Sequence, residues 1–162
     1  MFFKFLFGSS QKAEEERKRK ENDDFWYLAK HPTMNEHYKL LEKIKEEYPK
    51  AKDTGNYFGK EMKRVMRLCT QDIGIAEECR DLWRKYDHYL DDLPDYPSFA
   101  RLAIIYEKRE EYAKAIDVCT EAIRLGYESD GTKNGLKGRI ARLLRKEEAA
   151  RKKDLPKRGK AK

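Results

Sequence analysis

Little in this sequence breaks a chain. Its 162 residues include nine glycines and five prolines, too few for a loop-rich sandwich or a low-complexity protein. No apolar run approaches the roughly 18 residues of a membrane-spanning helix. The three cysteines, Cys69, Cys79 and Cys119, form no C-x-x-C pair and are odd in number. They are expected as small buried hydrophobes in a reducing compartment, and the chain as cytoplasmic. Only three histidines occur, His31, His37 and His88, and none stands at zinc-ligand spacing from a cysteine. No nucleophile–base pair, metal set or phosphate loop is recognisable, so no enzymatic reading and no cofactor follow.

Charge is what the chain has in abundance. Charged residues make up 41%, with 37 Lys and Arg against 30 Asp and Glu, for a formal +7. The excess sits at the ends: residues 1–20 carry +3, residues 151–162 carry +6, and the segment between carries −2. Apolar residues at 39% and aromatics at 12% are too many for a wholly disordered chain. The length suits one domain with a modest core.

Three regions are expected. Residues 1–24 form an apolar tip and a charged spacer helix. In MFFKFLF, Lys4 interrupts the apolar run, which makes a poor signal peptide. Phe2, Phe3, Phe5 and Phe7 suit peripheral contact with a membrane surface or a partner groove, or an apolar start packed on its own domain. In residues 11–24, glutamates 14 to 16 precede basic residues 17 to 20 by three or four positions, the order that favours helical pairing.

Residues 25–148 form the helical domain. Phe25-Trp26-Tyr27-Leu28 is its first anchor, and His31-Pro32 a break. Thr33 and Glu36 have the spacing of a capping box. Met34, Tyr38, Leu41, Ile44 and Tyr48 follow on one helical stripe, with Pro49 as the stop. A turn at residues 53–56 leads to a second stripe of Phe58, Met62, Val65, Met66 and Cys69. After Gly74 comes a third, of Ile75, Ala76, Cys79, Leu82, Trp83, Tyr86 and Leu90. No segment alternates with the period of a strand, so the fold is expected to be all-α. Residues 87–97 (DHYLDDLPDYP) form an acidic loop in which His88, Asp87, Asp91 and Asp92 match no metal-ligand motif.

One segment carries a pattern. Residues 96–126 place Phe99, Leu102, Ala103, Tyr106, Tyr112, Ala115, Cys119 and Ala122 at spacings that resemble a tetratricopeptide repeat, a helix–turn–helix of about 34 residues. Small residues stand where the two helices cross closely and large ones where the crossing opens. Pro97 sits in the first turn, and Gly126 at the C′ position. The pattern departs at Cys119, where an aromatic is usual, at Arg109-Glu110-Glu111, where a glycine-containing turn is usual, and at Tyr127, where proline is usual. Residues 57–86 read as a degenerate repeat or a plain α-hairpin. Residues 134–148, with Leu136, Ile140, Leu143 and Leu144 on one stripe and Lys137, Arg139, Arg142, Arg145 and Lys146 on other faces, read as a solvating C-terminal cap helix. The turn before it, Asp130 to Gly135 with an Asn134 cap, lacks phosphate-loop spacing.

The resemblance implies a short right-handed stack of antiparallel helix pairs that binds a protein or peptide partner on its concave face. By position, the groove side of the repeat's first helix is Ala100, Arg101, Ile104, Glu107 and Lys108. Arg101 and Lys108 suit a ligand's carboxylates, with Ile104 between them as an apolar floor. The chaperone-clamping class of this family has Asn where Ile104 stands, which argues against that ligand. The alternative is a nucleic-acid or anionic-membrane binder acting through the basic tail, residues 149–162. Its candidates are Arg151, Lys152, Lys153, Lys157, Arg158, Lys160 and Lys162. No aromatic interleaves them to stack on bases.

Overall fold

A computed structural model describes the backbone of residues 3–87 and 92–154 and the side chains of residues 12–87 and 92–153. The described residues are all-α, with no strand. The helices are α1 (Phe3–Lys30), α2 (Pro32–Asp53), α3 (Lys60–Gly74), α4 (Ala76–Tyr86), α5 (Pro97–Lys108), α6 (Tyr112–Leu125) and α7 (Gly135–Asp154). None of them is long and apolar enough to cross a membrane. Each of α2–α3, α5–α6 and α6–α7 packs as sequence neighbours, and α3 packs on α5 across the intervening segment. Residues 57–86 thus hold α3 and α4, but α3 rests chiefly on α2 and α5. The helix α4 turns away to pack on α1.

α1 is one continuous helix. From Lys12 to Lys20 it is exposed, and pairs such as Lys18–Glu14 at 2.9 Å satisfy its charges along its own surface. The expected aromatic anchor is narrower than the sequence suggested. Only Leu28 of the four is buried, while Phe25, Trp26 and Tyr27 stay about half exposed. Tyr27 packs tilted against Tyr86 of α4, 4.7 Å between centroids, and Lys30 lies over the Trp26 ring. The Phe2 candidate lies outside the described residues. Phe3, Phe5 and Phe7 fall within α1, but their side chains lie outside the description.

α2 departs from the sequence reading in three ways. Its cap is His31, not Thr33: the His31 ring nitrogen accepts from the Thr33 N–H, and Pro32 takes the first helical position. Thr33 instead donates its hydroxyl to Glu78 of α4, at 2.7 Å. Pro49 does not stop the helix, which runs on to Asp53. The turn beyond it is held by the buried Ala51 and by Thr54, whose hydroxyl donates to the Ala51 carbonyl at 2.7 Å. The buried stripe is Met34, His37, Leu40, Ile44 and Ala51, which leaves Tyr38 half exposed.

His37 enters the core because α3 supplies its partner. Its Nδ1 lies 2.7 Å from Asp72 Oδ1, and both side chains are shut from solvent. Tyr96 Oη lies 2.7 Å from the Asp72 carbonyl and 3.1 Å from Oδ1, and Ser98 donates to Oδ2 at 2.6 Å. Asp72 therefore ties α2, α3 and the start of α5 together with every acceptor used, the condition for burying a carboxylate. The residue types of a hydrolase triad are present. The serine donates to the aspartate, however, and not to the histidine, so the wiring is that of a structural knot.

The core has two clusters. One gathers Leu28, Met34, Trp83, Tyr96, Phe99, Tyr127, Leu136 and Leu143 with the small residues Ala76, Cys79, Ala103, Ala115, Cys119 and Ala122. The other joins Ile44, Ala51, Met62, Val65 and Cys69 to Leu102 and Ile105. α5 serves both. Phe58, expected on the α3 stripe, precedes α3 and is exposed beneath the Arg109 guanidinium.

Candidate partner-binding groove

Seven of the eight positions that carry the repeat pattern pack in or against the cluster that joins α5 to α6, and Leu102 faces the other cluster, toward α2 and α3. All of Phe99, Leu102, Ala103, Ala115, Cys119 and Ala122 are buried, and Tyr106 and Tyr112 are half-buried against the cluster of Phe99, Ala103, Ala115, Cys119 and Ala122. α6 closes on Gly126 in the left-handed region, φ +98°. The Tyr127 N–H reaches Ala122 O and the Gly126 N–H reaches Ile123 O, both at 2.9 Å, which is a Schellman close. A Cβ at Gly126 would sit 2.9 Å from the Arg84 guanidinium and 3.2 Å from Leu93. The departure at Tyr127 has a use, since its buried hydroxyl donates to Ala76 O at 2.8 Å and pins α4 to the end of α6.

Of the five groove candidates, three converge. Ala100, Arg101 and Ile104 line a cavity of about 240 Å³ together with Tyr48 of α2, Asp95, Pro97 and residues 129–131 of the α6–α7 loop. The Arg101 guanidinium lies over the Tyr48 ring at 4.8 Å from its centroid, a cation–π contact that fixes its direction. Burial raises the Tyr48 phenol, so it stays a neutral hydroxyl. Glu107 points elsewhere. It accepts from Lys146 at 2.6 Å and from Arg139 at 3.4 Å, and so fastens α5 to α7. Lys108 is exposed and outside the cavity lining.

The loop wall is held by an ion pair that the sequence reading missed. Arg139, assigned there to an outer face, is 8% exposed and donates to the fully buried Asp130 side chain at 2.9 Å. Burial alone would raise the Asp130 carboxyl. Hydrogen bonds from Thr132 and Arg139 outweigh it and hold the group below its ordinary range.

The cysteines are free and buried, and burial pushes the Cys69 and Cys79 thiols up to about 12 and Cys119 to about 11. Among the described residues no cluster of His, Cys, Asp and Glu is placed to hold a metal ion; His88 and Asp91 lie outside them. In the basic tail, Arg151 pairs with Glu147 at 3.0 Å and Lys152 with Glu148 at 2.6 Å, because α7 continues to Asp154. Lys153 lies near Tyr112 and Glu110. Lys157, Arg158, Lys160 and Lys162 are outside the described residues.

Comparisons with family models, with curated proteins and with solved structures return no match. The likeness of residues 96–126 to a tetratricopeptide repeat rests on those residues alone.

Proposed function

We propose that this chain is a non-enzymatic, cytoplasmic interaction module, a short right-handed tetratricopeptide-like stack that seats a protein or peptide segment beside Arg101. The observation that carries this reading is the cavity under Arg101. At about 240 Å³ it is smaller than the roughly 300–1,000 Å³ of small-molecule sites, and it suits one side chain of a docked segment. Its floor is apolar at Ile104 and Ala100. Arg101, oriented by Tyr48, offers its free guanidinium edge to a carboxylate. Asp95 is exposed at the rim and presents a carboxylate to the N–H groups of a docked segment.

The test is a peptide-display selection against the full chain, with hits remeasured on Arg101→Glu and Ile104→Asp. Selected peptides are expected to lose at least about tenfold in affinity on each variant, the loss of one charge-assisted contact or of the apolar floor. The Arg101→Glu melting temperature should be unchanged. Equal affinity for wild type and both variants would remove the groove assignment. The tail alternative has less support, since Arg151 and Lys152 already have carboxylate partners on α7.

A further inference from the structure

A second groove lies on a different face, between α3 and the α5–α6 turn. It measures about 470 Å³ and is lined by Lys63, Met66, Arg67, Thr70, Gln71 and Arg109. Three of the six are cations and none is acidic. Lys63 and Arg67 are exposed, and neither is in an ion pair among the described residues. Glu111 is bound up with Arg109 and Lys114 at the edge of the turn. Helical rise puts Lys63 and Arg67 about 6 Å apart along α3.

The Arg109 side chain has an unusual setting. Its guanidinium lies 4.7 Å from the Phe58 ring centroid, and its Nη1 is 3.1 Å from Met66 Sδ. Phe58 itself is 58% exposed. An aromatic ring left in water beside a row of cations combines the two elements that hold single strands without sequence preference, a charged track for phosphates and a flat surface for bases. An acidic peptide would use the charges but has no group that needs the ring.

We propose that the α3 groove binds single-stranded nucleic acid, with Lys63 and Arg67 on successive phosphates and Phe58, backed on one face by Arg109, stacked on a base. This site is separate from the Arg101 cavity and from the basic tail, so it stands or falls independently of the proposed function.

The probe is a fluorescein-labelled oligothymidylate of about 12 nucleotides, in the range of known single-strand sites. Anisotropy is read on the full chain across a salt series. Binding is expected to weaken with salt, with a slope of about −0.7 in log–log form for each phosphate engaged. Lys63→Gln/Arg67→Gln should flatten that slope by about 1.4, and Lys63→Glu/Arg67→Glu should weaken binding by more than about tenfold. Phe58→Ala should weaken it roughly fivefold while leaving the slope unchanged. Arg101→Glu and the tail substitution Arg151→Glu/Lys152→Glu/Lys153→Glu should shift affinity less than about twofold, and thermal melts confirm that each variant folds. Absence of binding by the wild-type chain would overturn the proposal, as would equal binding by the Lys63/Arg67 variants. Equal displacement of the oligonucleotide by polyglutamate of matched charge would also overturn it, in favour of an acidic-protein partner.

Discussion

The residues that decide this molecule's interior are polar. Asp72, His37, Ser98 and Tyr96 lie at the centre of a helical fold, and Asp130 with Arg139 props the loop that walls the Arg101 cavity. The Asp130 carboxyl lends itself to a pH test. Its folded-state titration lies below the ordinary carboxylate range, so its contribution to stability is complete above the unfolded value, about 3.9, and is lost as pH falls through the folded one. Asp130→Asn is therefore expected to cost about 1–3 kcal/mol at pH 7, from weakened charge-assisted bonds to Arg139 and Thr132. Denaturant titrations should show that deficit shrinking below about pH 4. A deficit constant from pH 7 to pH 3 would mean that packing, and not the charge, sets the cost. None of these polar residues was legible as a core residue. A hydrophobic stripe is found by counting apolar side chains, and that count rejects a histidine whose aspartate lies 35 positions away.

At the scale of the element, the sequence spoke most clearly where a helix is buried on two sides. α5 faces one cluster with Phe99 and Ala103 and the other with Leu102 and Ile105, so little of its surface is free to vary in character. α2 was misread in register and in length, for a shared reason: long-range contacts overrode local signals. Asp72 rotated its buried stripe, and packing of Ala51 carried the helix past Pro49. The α5–α6 turn shows a local signal that the chain itself disobeys. Glu111 N–H reaches Tyr106 O at 2.9 Å and Glu110 N–H reaches Glu107 O at 3.1 Å, the same Schellman bonds that close α6. Here the left-handed residue is Glu110, at φ +60°, where α6 has a glycine. Holding a non-glycine residue there costs about 1–2 kcal/mol, and glycine returns part of that through its larger unfolded-state entropy. Because Glu110 is exposed, Glu110→Gly removes little contact and is expected to stabilise the chain by roughly 0.5–1 kcal/mol. A thermal melt should move up by about 1–4 °C. A lower melting temperature would show that the Glu110 side chain contributes contacts worth more than the backbone strain.

The whole molecule divides into a packed body and a projecting helix, and the division does not follow the charge map that first suggested it. The net +7 pointed to two basic ends on a near-neutral scaffold. In the fold, α1 and α7 hold the described parts of both ends, and two exposed cations without carboxylate partners, Lys63 and Arg67, line a groove on α3, within the segment whose net charge is −2. Lys63 and Arg67 are hidden from segment sums because acidic residues elsewhere in the body cancel them on paper without pairing with them, whereas Arg109 does pair with Glu111. The N-terminal half of α1 is held differently. From Lys12 to Lys20 it touches water on every side, and its ion pairs are of the exposed kind that contribute little. What fastens α1 is Leu28, buried in one cluster with Met34 and Trp83, together with the tilted Tyr27–Tyr86 contact. A chain starting at Phe25 should therefore melt within about 2 °C of the full-length protein. A chain starting at His31, which also loses Leu28, should melt several degrees lower, since burial of one leucine is worth about 2–3 kcal/mol and each kcal/mol moves a domain of this size by about 2–4 °C. Matched differential scanning calorimetry of the three chains separates the two segments. A large drop on removing residues 1–24 alone would mean that the projecting part of α1 is folded against the body in solution; equal stability of all three would mean that Leu28 closes no part of the core.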